Sequence, residues 1–175
     1  TLVHDRRLPL ISATGSTRMG RHVGKIVADR LGRSLLELGG NNAIIVEPNA
    51  DLDLALRGIV FGAVGTAGQR CTSTRRLFLH QSISAKLTAR LVAAWKQVRI
   101  GDPLVEGTLV GPLIDEDAVS QFERAIVTAV EQGGEVFVGG KRIDGPGSYV
   151  HPSILRARPD MPVSQHETFA PLLYL

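Results

Sequence analysis

The chain has 175 residues and one cysteine, Cys71. It follows Gly68, Gln69 and Arg70 and precedes Thr72 and Ser73. A thiol attacks carbon as thiolate, which nearby positive charge favours, and it needs open space for a ligand. Arg70 supplies the charge and the small residues supply the space. Taken alone, a single cysteine is more often a small buried hydrophobe. Glu37 lies in Leu35-Leu36-Glu37-Leu38, directly before Gly39 and Gly40. A carboxylate inside an apolar strand is expected to be desolvated, the setting in which it can serve as a general base. A solvent-facing or ion-paired Glu37 is the alternative. The segment from Gly15 and Ser16 to Gly20 reads as a strand end, a tight turn and a helix start. Free backbone N–H groups at a helix N-terminus suit a pyrophosphate. The glycine spacing is not that of the dinucleotide fingerprint G-x-G-x-x-G, and an ordinary strand-to-helix turn explains the segment more readily. The five histidines show no ligand spacing, so no metal site is expected. A thiol hydrolase or acyltransferase pair of Cys71 with His151 or His166 stays open.

The elements that must position these residues alternate between strand and helix. Residues 8–13 read as a buried strand and 18–31 as a helix capped by Ser16 or Thr17. Strands are expected at 34–38 and 43–46, separated by the turn Gly39-Gly40-Asn41-Asn42. The next helix, 52–66, carries apolar residues around most of its circumference and is expected to be buried. Gly65 and Gly68 weaken its end, and residues 69–72 form a turn. A strand at 76–80, a helix at 84–97, a helix at 117–132 and a strand at 135–138 follow. Residues 149–155 read as an edge strand broken by Pro152, and the apolar run 172–175 as part of another. This alternation implies an α/β fold, a mostly parallel sheet with helices on both faces. Composition alone marks no firm boundary, and the glycines after Leu38 are the best candidate.

A 43% hydrophobic, 21% charged composition describes a globular chain with a substantial core. The net charge of +3 comes from 20 basic and 17 acidic residues spread along the sequence, so neither nucleic acid nor a membrane surface is an expected partner. One cysteine excludes an intrachain disulfide and suits a reducing, cytoplasmic setting. Residues 1–10 lack the apolar segment of a signal peptide, and the chain reads as a piece of a longer protein.

Six segments carry a resemblance: GSTRMG at 15–20, ELGGNN at 37–42, GQRCT at 68–72, GDP at 101–103, GPL at 111–113 and ETFAP at 167–171. In order and separation they resemble the aldehyde dehydrogenase superfamily. Asn41-Asn42, Arg70, Thr168 and Ala170 are most similar to its antiquitin-like branch, the α-aminoadipic semialdehyde (piperideine-6-carboxylate) dehydrogenases. The resemblance implies the tail end of a Rossmann-like NAD-binding domain in residues 1–38 and part of the catalytic domain in 39–175. It implies oxidation of an aldehyde to the acid through a Cys71 thioester, hydrolysed with Glu37 as base and with the Cys71 N–H stabilising the oxyanion. Gly15, Ser16, Leu38, Glu167 and Phe169 would contact NAD, or NADP, and Arg70 and Thr72 the substrate. A further oxyanion donor, an Asn, would lie upstream of this chain. The implied partners are a small aldehyde and copies of the same protein, as a dimer or tetramer. The isolated chain is expected to be inactive. A non-catalytic binding or assembly module is the remaining alternative.

Overall fold

The computed structural model describes residues 2–175; Thr1, where the expected cofactor-domain segment begins, lies outside the described residues. Residues up to Gly40 form one compact unit and Asn41–Leu175 a second.

In the first unit, strands β1 (Leu10–Thr14) and β2 (Arg33–Glu37) pair in parallel, with Leu10 opposite Arg33 and Thr14 opposite Glu37. Parallel pairing requires a crossover, which helix α1 (Thr17–Asp29) provides. Ser16 caps the helix, its hydroxyl oxygen accepting from the Met19 N–H at 3.1 Å. Gly20, Val23 and Val27 bury one stripe at spacings of three and four. Leu38 packs so closely on α1 that a Cβ at position 20 would overlap its methyl groups.

The second unit runs β3 (Asn42–Val46), α2 (Leu52–Val64), β4 (Thr74–Leu79), α3 (Gln81–Trp95), α4 (Glu116–Glu131), β5 (Glu135–Val138), β6 (Ser153–Arg156) and β7 (Leu172–Tyr174). Across the sheet the order is β3-β4-β7-β6-β5, and β5 alone is antiparallel to its neighbour. The core collects Ile83, Leu87, Leu91 and Trp95, one residue per turn of α3, with Val119, Phe122, Ile126 and Ala129 of α4. Leu87, Leu91, Phe122, Ile154, Leu155 and Leu173 have no exposed surface. Each contributes roughly 1.5–3 kcal/mol through removal from water.

The structure corrects three expectations. Helix α2 is not buried all round: Ile59, Ala63 and Val64 are, but Leu54 and Phe61 are each 69% exposed. An apolar circumference gives the helix several faces that could be buried, and the described residues cover only part of it. The strand expected at 149–155 is not an edge strand. β6 starts after Pro152 and lies between β7 and β5, so the proline removes no bond from its ladder. Val150 instead makes an isolated bridge with Arg142. Helix α3 begins three residues earlier than expected because the His80 ring nitrogen accepts from the Ser82 N–H at 3.2 Å, a cap the usual residue preferences do not suggest.

Candidate functional site

In the first unit the four residues of interest lie together at the C-terminal ends of β1 and β2. The Gly15 N–H donates to the Glu37 carbonyl at 3.0 Å, extending the ladder by one bond. With Met19 bonded to the Ser16 hydroxyl, the Thr17 and Arg18 N–H groups remain outside the intrahelical ladder at the positive end of α1. That arrangement fits an anionic group such as a cofactor phosphate. Leu38 is half-buried, turned onto α1. The Glu37 side chain departs from expectation. β2 is exposed along most of its length, Leu35 included, and Glu37 is exposed with it. The described residues therefore do not supply the desolvated setting expected of its apolar neighbours.

In the second unit, Cys71 sits on a turn built against strain. After α2 ends, Thr66, Ala67 and Gly68 take left-handed backbone angles, with φ of 55°, 51° and 67°. Each non-glycine residue held there costs about 1–2 kcal/mol, so the surrounding packing must enforce it. Gly68 abuts the backbone of Ala170 and Pro171, which a Cβ would strike. The turn then closes through two bonds: the Ser73 N–H to the Arg70 carbonyl at 2.9 Å, and the Arg70 N–H to the Ser73 hydroxyl at 3.2 Å. Ser73 is fully buried, whereas Cys71, a free thiol, and Thr72 are exposed. The amide of Asn42, at the start of β3, donates to the Cys71 carbonyl at 2.6 Å and to the Ser73 carbonyl at 3.0 Å.

Arg75, the second residue of β4, is 1% exposed. Its guanidinium donates to the carbonyls of Gly68 (2.7 Å), Ala170 (2.9 Å) and Arg70 (3.2 Å) and meets the Glu167 carboxylate at 3.5 Å. It also lies 5.4 Å from the centre of the Phe169 ring. Burial lowers the Arg75 pKa and Glu167 pulls it back up, yet a guanidinium stays cationic in proteins. Arg70 behaves differently. It donates to the Phe61 carbonyl at 2.9 Å and stacks over the Phe61 ring at 4.8 Å, so its charge rests on the last turn of α2.

Cys71, Arg70, Thr72, Glu167 and Phe169 thus belong to two neighbouring loops at the N-terminal ends of β4 and β7, and Gly15, Ser16, Glu37 and Leu38 to one strand edge of the other unit. Among the described residues neither His151 nor His166 hydrogen-bonds the Cys71 sulfur. Sequence reasoning missed Arg75. Its signal was the period of two: Arg75 and Leu77 share the buried side of β4, and an arginine at an inward position demands acceptors.

The second unit thus holds an exposed thiol on a constrained turn of a mostly parallel sheet, and the first unit, taken by itself, an exposed acid and a helix end with free N–H groups. The chain belongs to the aldehyde dehydrogenase family, whose model matches residues 1–175. It is 51% identical over 176 residues to the α-aminoadipic semialdehyde dehydrogenase of Mus musculus, covering 100% of this chain and 33% of that protein. It is 49% identical over 173 residues to aldehyde dehydrogenase family 7 member A1 of Brassica napus, covering 99% and 35%. Its fold matches betaine aldehyde dehydrogenase from Staphylococcus aureus, solved in complex with NAD+, at a TM-score of 0.96 and 29% identity, covering 99% of this chain and 35% of that one. Lactaldehyde dehydrogenase from Escherichia coli gives a TM-score of 0.96 at 34% identity, covering 99% and 37%. The chain thus spans about a third of the length of the relatives it matches.

Proposed function

We propose that the protein to which this chain contributes oxidises an aldehyde to its carboxylic acid with NAD, or NADP, as acceptor, and that its substrate is α-aminoadipic semialdehyde or the cyclic piperideine-6-carboxylate in equilibrium with it. The observation that carries the reading is the Cys71 turn: an exposed thiol with the Gly68 and Arg70 carbonyls held by Arg75 and the Cys71 and Ser73 carbonyls by Asn42. A nucleophile gains most when its geometry is fixed before the substrate arrives.

The Cys71 thiolate adds to the aldehyde carbon, giving a thiohemiacetal whose oxyanion would accept from the Cys71 N–H. Bound NAD supplies the two-electron acceptor for the hydride lost from that carbon, which leaves a thioester on Cys71. Glu37 takes a proton from water as the water attacks the thioester, releasing the acid and returning Cys71 to thiolate. Gly15 and Ser16 would hold the cofactor phosphates through the α1 N-terminus, Glu167 its ribose, and Leu38 and Phe169 its nicotinamide end. Thr72 and Arg70 flank the substrate. The mouse relative's name supports the substrate class. The exposed Leu54 and Phe61 of α2 support assembly with further copies of the protein, and a thiol nucleophile suits a reducing cytoplasm.

The test uses the full-length protein. Cys71→Ser is expected to abolish NADH formation, a loss of about a thousandfold or more. Glu37→Gln is expected to keep one NADH burst per site and lose about a hundredfold or more in turnover. Full activity in Cys71→Ser would sink the reading; loss on replacing His151 or His166 with Glu37→Gln unaffected would transfer it to a thiol hydrolase. A screen that favours simple aliphatic or aromatic aldehydes would remove the substrate and leave the reaction.

A further inference from the structure

We propose that Arg75 is a positioning residue for this reaction: it aims the N–H that receives the oxyanion and ties the Cys71 turn to the cofactor-contacting loop of Glu167 and Phe169. The proposal rests on the reading of Cys71 as nucleophile.

The Arg70 carbonyl and the Cys71 N–H belong to one planar peptide unit. A hydrogen bond to that carbonyl therefore fixes the direction of the N–H on its other side. Arg75 makes that bond at 3.2 Å, from a charged donor that also polarises the amide and strengthens its N–H. The next peptide unit is fixed from the opposite side by Asn42 on the Cys71 carbonyl. The same guanidinium reaches Gly68, three residues before the cysteine, and Ala170, Glu167 and Phe169 in the second loop. One rigid planar group thus sets the spacing between the nucleophile's turn and the loop assigned to the cofactor.

Space filling does not require this residue. An apolar side chain of similar length would fill the volume without the cost of desolvating a cation. Lysine would keep the charge, but its single ammonium cannot present a planar fork to carbonyls in two loops. Only Nε of the guanidinium lacks a partner. The left-handed run at Thr66, Ala67 and Gly68 adds a reason for a strong clasp, because a strained turn relaxes when its anchors go.

In the full-length protein, Arg75→Lys and Arg75→Gln are to be compared with the parent in rapid-mixing assays, with circular dichroism reporting the folded fraction. Arg75→Lys is expected to slow the NADH burst about ten- to a hundredfold and to raise the KM for NAD several-fold. Alkylation of Cys71 by iodoacetamide, which needs no oxyanion donor, should change by less than about threefold. Arg75→Gln should lie lower still on the burst. Burst rate and NAD KM both within about twofold of the parent, with only the melting temperature lowered, would overturn the proposal and leave Arg75 a packing residue. Variants that do not fold would overturn it equally, by making Arg75 a determinant of folding. Cys71→Ser is run alongside. Loss of the burst there, with Arg75→Lys unaffected, rejects the positioning role alone, whereas a persisting burst rejects the nucleophile.

Discussion

The two units meet their candidate ligands with opposite ends of their strands. In the first, the residues of interest follow β1 and β2, where a helix begins and backbone N–H groups are in surplus. In the second they precede β4 and β7, where a helix has just ended and carbonyls are in surplus. The first edge is neutralised by one hydroxyl, Ser16 on the Met19 N–H. The second requires side-chain donors: Asn42 on two carbonyls, Arg75 on three, Arg70 on Phe61, and Arg76 on Asn41 at 2.8 Å. The difference follows from helix polarity. An edge rich in N–H groups suits anionic phosphates and leaves donors free for them. An edge rich in carbonyls repels anions until cations are set into it, and those same cations then fix the loops that carry Cys71 and Glu167.

Substitutions at the two edges should therefore differ in cost. Gly68→Ala adds a Cβ at a left-handed position already filled by the Ala170 backbone, and the protein should lose about 3–5 kcal/mol in urea unfolding. A loss below about 1 kcal/mol would mean that the carbonyl-rich edge is far more pliable than its bonding implies. At the opposite end of β7, burial pushes the Tyr174 phenol up to about 12. Below pH 10 the phenol is neutral whether the chain is folded or not. Between about 10 and 12 the unfolded chain ionises first, so stability falls by about 2–3 kcal/mol as pH rises through that window. Thermal melts of Tyr174→Phe should lack this component, and an identical decline in the variant would place the titration elsewhere.

Smaller effects separate the edges directly. Asn42→Ala removes donors from the Cys71 and Ser73 carbonyls at a partly exposed site and should cost about 1–2 kcal/mol. Amide exchange at Ser73 should accelerate accordingly, with the Phe122 amide as the reference that holds still. Ser16→Ala removes one cap and should cost about 1 kcal/mol, read as faster exchange at Met19 and a modest rise in the KM for NAD. A larger loss from Ser16→Ala than from Asn42→Ala would reverse the ranking of the two edges.

Much of the scaffold was legible in the sequence, because helix periodicity and capping are local. Ser16, Asp51 and Asp115 cap their helices through their own side chains. What the sequence concealed was set by distant neighbours. β6 reads as an edge because of Pro152, yet the ladders on both its sides begin beyond that proline. Left-handed angles at Thr66 and Ala67 run against the preferences of both residue types, so local propensity does not announce them. Cys71 and Glu37 drew attention through their neighbours, but their own surroundings left both readings open, and the proposed roles came from the resemblance of GQRCT and ELGGNN. Arg75 was missed because the strand was expected to begin only at Arg76, which left Arg75 outside the alternation that Leu77 sets.

The contact of Gly68 with Ala170 and Pro171 carries a consequence for heredity. These positions stand 102 residues apart at Gly68 and Ala170, yet the backbone of one occupies the space a side chain on the other would need. Neither stretch can drift alone. Descendants and ancestors of this sequence should therefore inherit the two as a matched pair, with bulk at position 68 tolerated only where the second loop has withdrawn.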